Sequence, residues 1–497
     1  MRATCRTANP KSEIQNPKFY RRAFLLAFFL LLVVFCNAQT VISITDTVPP
    51  SSNRPSIIGD ITISGNRVTK PPIILRELTF KPGDTLNGEE LLKRTARSRE
   101  NLLNTSLFNF VTISTVLRPD SLRRDVHIEV KERWYTWPVP IFEIVEQNFN
   151  TWWNNGHNLE RANYGFYLNR DNFRGRRETV SLAFRFGYAE RYGISYTIPF
   201  LNKKQTWGAG FSVAYNRNHE IAYRTQNNKL QFYKSDERYL REEYGGRVTV
   251  SYRPQLYIGH NFELRYVHSL VDDTLQILND EYFVNGDTRM EYLSLSYRYA
   301  RDHRDAKAYP LRGWFFDAEV GQLGLGLLPN ENLDVTYFVS SYRRYFRLAE
   351  RVYAGASIRG KFSPRPHQPY YVQRAFGFGL YVRGYEYYVI DGQSYGLAKT
   401  QLRFQIIKPQ VRRIPFLPFE KFNTLHIALY GGIFADAGYA DDRFSDPILN
   451  NRLSNAFLFG TGAALDLVTY YDIVLRLEYS FNKIGEQGLF LHLGAPL

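Results

Sequence analysis

The stretch ETVSLAFRFGY, residues 178–188, alternates with a period of two. One face carries Val180, Leu182, Phe184, Phe186 and Tyr188; the other carries Thr179, Ser181, Ala183, Arg185 and Gly187. Successive side chains of a β-strand point to opposite faces, so this pattern reads as a strand with one apolar and one polar side. The pattern recurs at Leu293, Leu295, Tyr297 and Tyr299, which oppose Ser294, Ser296 and Arg298. Near the end, Tyr471, Ile473, Leu475, Leu477, Tyr479 and Phe481 oppose Asp472, Arg476, Glu478 and Ser480. A soluble sandwich turns its apolar face inward and keeps strands near about five or six residues. A membrane barrel turns that face to lipid, needs about 9–11 residues per strand and keeps a polar interior. Long strands with arginines on the second face suit a barrel with a wet lumen.

Working outward, candidate strands start near residues 136, 161, 177, 190, 205, 241, 258, 288, 312, 333, 350, 394, 423, 456, 471 and 487. That is about sixteen, an even number as single-chain bacterial barrels require. With the N-terminal part in the periplasm, the external connections include the long ones, 218–240, 271–287, 363–393 and 437–455. Most periplasmic connections are short; 301–311 and 409–422 are the exceptions, and the register is least determined there.

Composition agrees with export to a membrane. Of 497 residues, 44% are hydrophobic and 16% aromatic, a share that favours a protein exposing aromatics to something other than water. After Arg21 and Arg22, thirteen apolar residues run from Ala23 to Phe35, and small Ala38 precedes Gln39. This reads as a signal peptide over 1–38, too short to span a bilayer as a helix, which takes roughly 20 residues. Removing that segment takes a net +5 from the formal +15, leaving about +10. It also takes Cys5 and Cys36, so no disulfide or cysteine-ligated metal is expected in the mature chain. No later segment has the length and apolarity of a membrane helix.

Residues 39–55 form a flexible lead, and 56–132 read as a small α+β domain ahead of a barrel at 133–497. Ile61 and Ile63 mark a strand that stops at Gly65-Asn66. Pro71 and Pro72 fit a helix's first turn, where a missing N–H costs nothing. Asn87 with Glu90 resembles a capping box, followed by Leu91, Thr95 and Leu102 at helical spacing, with Lys93, Arg94 and Arg97 on the wet face. Val111 and Ile113, then Val126, Ile128 and Val130, give two final strands in a β-α-α-β-β order.

Residues 57–130, with ITISGN at the start and NLLNTSLFNFVTI in the middle, resemble a POTRA domain. A POTRA domain followed by a sixteen-stranded barrel is the layout of the BamA/TamA superfamily. VRGY, formed by Val382, Arg383, Gly384 and Tyr385, sits between the eleventh and twelfth strands, where that family carries a VRG(F/Y) motif on its sixth external loop. FADAG, residues 434–438, matches a second motif on the thirteenth strand. The resemblance implies that loop six folds back into the barrel and that Arg383 pairs with Asp436. It also departs from the family: one POTRA domain rather than several, and Gln401-Leu402-Arg403-Phe404-Gln405 where an acidic residue often opens the twelfth strand. An acidic partner near the loop is therefore not expected. The last residue, Leu497, is not the usual terminal aromatic.

A guanidinium can bind a carboxylate through two hydrogen bonds, and glycine permits the tight backbone of an inward loop. In a wet lumen such a pair would position the loop and add little stability. Tyr381, Tyr385, Tyr387 and Tyr388 are expected either to pack on the lumen wall or to form a surface aromatic patch. Pro138 and Pro140 each lack a backbone donor on the same side of the chain. They would weaken barrel closure if they lie in the first strand beside the sixteenth; the alternative is a linker after the POTRA domain. There is no HExxH and no GxxxxGK[ST], and the histidines are scattered, so no enzyme is expected. Neither cofactor nor nucleic acid is expected. The resemblance implies an outer-membrane protein that helps insert or translocate client polypeptides. Its partners would be lipids, unfolded periplasmic clients, and periplasmic or lipoprotein accessory proteins. A passive channel and a surface-binding barrel are the rivals.

Overall fold

In the computed structural model, the described residues are 39–41, 55–119, 122–144, 162–329, 331–377, 379–413, 424–469 and 472–494. The expected signal peptide over 1–38, most of the lead, and the connections 145–161 and 414–423 lie outside them.

Sixteen strands follow one another in chain order around one sheet, from Thr136–Ile144 to Gln487–Leu493, and the last strand lies beside the first. Neighbouring strands with a described register pair antiparallel, for example Phe166 opposite Phe184 and Tyr164 opposite Phe186. The observed starts fall within three residues of those expected from alternation. Aromatic pairs stack across strands on the outer face, as with the Phe166 and Phe184 rings 5.3 Å apart. Phe211, Val213, Val248, Ile358, Ile433, Phe481 and Leu491 are likewise exposed outward, where lipid would cover them. A three-residue strand, Gln39–Val41, adds to the end of the twelfth strand, Ser394–Arg413.

Two connections depart from the expected pattern. The thirteenth strand, Thr424–Asp441, extends through the start of the anticipated loop 437–455. The turn 303–312 is long because it folds up into the barrel rather than merely reversing the chain. Tyr309 is buried there, and its hydroxyl donates to Asp466 Oδ2 at 2.6 Å.

The small domain contains β1 (Ser56–Ser64), α1 (Pro71–Leu75), β2 (Thr85–Leu86), α2 (Gly88–Leu103), β3 (Phe108–Leu117) and β4 (Arg123–Glu132). Its sheet order is β2-β1-β4-β3, with β1 and β4 parallel. The two-residue β2 is an addition to the expected β-α-α-β-β order. Asn87 Oδ1 accepts from the Glu90 backbone N–H at 2.8 Å, satisfying a free donor of the first turn. Leu91 and Leu102 are buried against Ile113, Val126 and Ile128. Lys93 and Glu89 form an exposed pair, whereas Arg97 turns out of the wet face and donates to Tyr257 Oη in the barrel at 3.0 Å.

That contact is one of several that dock the small domain against the barrel mouth. Arg253, near the end of the sixth strand (Arg241–Gln255), grips Glu77 with both terminal nitrogens, at 2.7 and 3.0 Å. Arg177 and Arg76 flank the same carboxylate at 3.6 and 3.7 Å. Asn104 donates to the Asp305 carbonyl at 2.9 Å, and Arg133 pairs with Asp472 at 2.7 Å. Turns spread around the mouth thus hold the small domain from several sides. Phe200, at the end of the fourth strand (Ala189–Ile198), packs into its core.

Burial alone would raise the pKa of Glu77, but its hydrogen bonds to Arg253 and the charges of Arg253, Arg177 and Arg76 outweigh this and hold it below the usual carboxylate range. A depressed docked-state pKa stabilises docking above the free carboxylate's value of about 4.3. That contribution is lost as pH falls through the lower docked value. Glu77→Gln should weaken docking by about 3 kcal/mol, because three arginines lose their counter-charge. Hydrogen exchange over residues 71–78 and 253–257 should rise at neutral pH in the variant. The wild type should show that rise only in acid.

Candidate functional site

Loop six, residues 363–393, reaches into the barrel, and VRGY is its innermost part. Val382, Arg383 and Tyr385 are all buried. Arg383 Nε donates to Asp436 Oδ2 at 2.8 Å, Nη2 donates to Oδ1, and the Arg383 backbone N–H donates to Oδ2 at 3.1 Å. A further bond from Nη2 reaches the Thr400 carbonyl at 3.0 Å. The guanidinium lies over the Phe434 ring, 3.9 Å from its centre, so Phe434 and Asp436 of FADAG both engage the arginine. Lys399 Nζ approaches Asp436 Oδ2 at 3.7 Å.

Both side chains of the Arg383–Asp436 pair are 0% exposed. The expectation of a hydrated pair therefore does not hold. Removing one member of a buried pair leaves an uncompensated charge, which costs about 3–5 kcal/mol.

The backbone around the arginine needs two glycines. Gly384 has φ +94, and a side chain there would also press on Phe481 O at 3.1 Å. Gly460, on the fourteenth strand (Leu458–Val468), faces the Arg383 carbonyl so closely that a Cβ would overlap it. Asn482, at the end of the fifteenth strand (Val474–Asn482), donates to the Gly384 carbonyl at 2.7 Å. Loop six is thus seated on the thirteenth to fifteenth strands.

The four tyrosines divide between the two expected roles. Tyr385 is buried, Tyr381 reaches His492 Nδ1 at 3.2 Å and Tyr388 donates to Glu486 at 2.6 Å. Tyr387 is 67% exposed.

A second charged cluster continues the first toward the end of the barrel that the small domain covers. Arg476 binds Asp466 through Nε and Nη2, at 2.6 and 2.7 Å. Asp466 also accepts from Tyr309, and Arg403 lies over the Tyr309 ring at 4.3 Å. Loop six and the turn 303–312 therefore fill this side of the lumen from opposite ends. Glu386 and Glu478 supply carboxylates near the loop, which corrects the expectation drawn from Gln401. Their positions were written in the sequence, Glu478 on the polar face of an alternating strand, but their convergence with His492 was not.

Pro138 and Pro140 lie within the first strand, opposite Leu168 and Phe166 of the second (Ala162–Phe173). The linker reading is thereby replaced: both prolines are in the strand that borders the sixteenth. Gly392-Gln393-Ser394-Tyr395-Gly396 has the GxSxG spacing of a nucleophile elbow. It opens a strand rather than a strand-to-helix turn, and Ser394 Oγ is hydrogen-bonded to the Ser363 backbone N–H at 3.1 Å.

The architecture defines a transmembrane β-barrel of the outer-membrane type with a POTRA domain at its periplasmic mouth. Residues 172–470 match the Omp85 superfamily domain, and residues 56–133 match the POTRA family described as surface antigen variable number repeat. The chain belongs to the Omp85 superfamily. Among solved structures it is similar to BamA from Haemophilus ducreyi lacking POTRA domains 1–3, at 14% identity and a TM-score of 0.49, over 96% of this chain and 93% of that one. CdiB from Escherichia coli is similar at 10% identity and a TM-score of 0.48, over 96% and 97%. CdiB from Acinetobacter baumannii is similar at 13% identity and a TM-score of 0.43, over 97% and 82%. No curated protein matches the sequence. Family membership supports polypeptide insertion or translocation at the outer membrane in general.

Arg383→Ala should release loop six, raising protease sensitivity and hydrogen exchange over residues 375–390. Gly460→Ala, which leaves both charges intact, should produce the same release by displacing the loop backbone. Arg383→Lys should rescue only partly, since an ammonium cannot reproduce the forked contact.

Proposed function

We propose that this protein receives unfolded polypeptides in the periplasm and passes them into or across the outer membrane, and that it does so without catalysis. The observation that carries this reading is the POTRA sheet held across the barrel mouth with a free edge. Among the described residues, β2 pairs only with Ser56 and Ile57 of β1, and no strand pairs with the outer side of β1 from Gly59 to Ser64. An extended client can add there as a strand, gaining backbone hydrogen bonds that do not depend on its sequence. The client would then meet the seam between the first and sixteenth strands; Pro138 and Pro140 lie in the first of these, each without a backbone donor. Loop six, clamped through Arg383, keeps the interior beside that seam occupied. Accessory periplasmic proteins would dock on the remaining POTRA surface.

A second reading, a passive channel, is favoured by the other side of the lumen. Between the third and seventh strands a hollow is lined by Arg185, Arg191, Arg241, Arg247 and Arg265. Such a lining would favour anions.

Depleting the protein should lower the abundance of particular outer-membrane or secreted proteins, measured by quantitative proteomics of both fractions. Unchanged client levels together with altered anion conductance would favour the channel. Cysteines joining the first and sixteenth strands should block client handling when oxidised and restore it when reduced. Equal handling in both states would mean that the seam stays closed during function.

A further inference from the structure

Three side chains meet beside the loop-six clamp, each from a different part of the chain. Glu386 belongs to the loop, Glu478 to the fifteenth strand and His492 to the sixteenth, and one donor atom of each lies within 4.8 Å of the others. Glu478 is 1% exposed, yet neither of its carboxylate oxygens has a hydrogen-bond partner. Glu386 Oε1 and His492 Nε2 are also buried without partners. Burying a carboxylate without hydrogen bonds is costly, so two such oxygens converging with an unpartnered imidazole nitrogen call for a shared cation.

The neighbours orient these groups without satisfying them. Tyr381 Oη lies 3.2 Å from His492 Nδ1, which leaves Nε2 as the nitrogen that faces the carboxylates. Nε2 is 3.5 Å from Glu478 Oε1 and 3.9 Å from Glu386 Oε1, too far for good hydrogen bonds. Glu386 Oε2 accepts the Gly384 backbone N–H at 2.8 Å, which fixes that carboxylate and leaves Oε1 free. The nearest arginine to Glu478 is Arg476: its Nη1, itself buried without a hydrogen-bond partner, stands 3.8 Å from Oε2, beyond hydrogen-bond distance, while its Nε and Nη2 bind Asp466. Arg383 is likewise committed to Asp436.

We propose that Glu386, Glu478 and His492 bind one divalent transition metal ion of the zinc class. Two carboxylate oxygens and one imidazole nitrogen form a three-ligand set that leaves a position for water, and an outer hydroxyl on the other ring nitrogen is the usual support for a ligating histidine. His492 and Tyr381 line a cavity of about 420 Å³ beside the site, which Arg343, Arg359 and Lys399 line as well. The bound ion would tie loop six to the last two strands of the barrel, and so to the seam. This assignment stands on the three side chains and not on the proposed client handling.

The test uses the full mature chain, folded in detergent, stripped with chelator and titrated with Zn2+ and with Co2+. The wild type should bind one equivalent of Zn2+, and Co2+ should give the visible absorption of a low-coordinate site. Glu478→Gln and His492→Gln should each weaken binding more than about tenfold, and Tyr381→Phe by about tenfold. Heat-modifiable migration on gels shows that each variant is folded. Saturating Zn2+ should also protect loop six from protease in the wild type but not in Glu478→Gln. Binding well below one equivalent would overturn the assignment. Equal binding by wild type and the two ligand variants would do the same, and a proton shared among the three groups would then be the cation.

Discussion

A single buried ion pair organises the interior of this barrel. Arg383 and Asp436 are both removed from solvent, and the carboxylate takes three hydrogen bonds from one residue, two from its guanidinium and one from its backbone. A charge so placed has no aqueous alternative while the loop is in, so the pair specifies one position of loop six rather than merely favouring it. The remaining features accommodate that position. Phe434 offers its ring face, Gly460 and Gly384 give the backbone room, and Asn482 holds the adjacent carbonyl.

The barrel was legible because its physics is periodic. Lipid outside and polar groups inside impose a two-residue alternation that survives over each strand, and strand starts can be read from it directly. Where the reading was insecure, at 301–311, the cause was a turn that leaves the wall to place Tyr309 beside Asp466. The alternating face of the fifteenth strand was also readable, but its environment was not. Arg476, Glu478 and Ser480 look like groups facing water, and they are buried on the side of the lumen that loop six and the turn 303–312 fill. Whether a lumen is wet depends on what fills it, and a strand's own sequence does not record that.

The site was legible in a different way. Nothing in the spacing of Arg383 and Asp436 announces a contact; the resemblance of VRGY and FADAG to family motifs did. Glu77 and Arg253 carried no such label. They lie 176 positions apart, and Glu77 sits in the turn that follows a short helix, where an exposed glutamate would be unremarked. Contacts between domains depend on a docking geometry that no local pattern encodes, so the POTRA sandwich was recognisable while its fixed seat on the mouth was not.

The seat of loop six has a consequence for the order of events in folding. Its walls come from the thirteenth, fourteenth and fifteenth strands, all C-terminal to the loop itself. The slot does not exist until those strands stand side by side, and until then Arg383 remains hydrated. Long-range pairings of this kind form slowly. The interior is therefore filled late, and a chain that stops short of Asn482 has a loop with its arginine but only part of a place to put it.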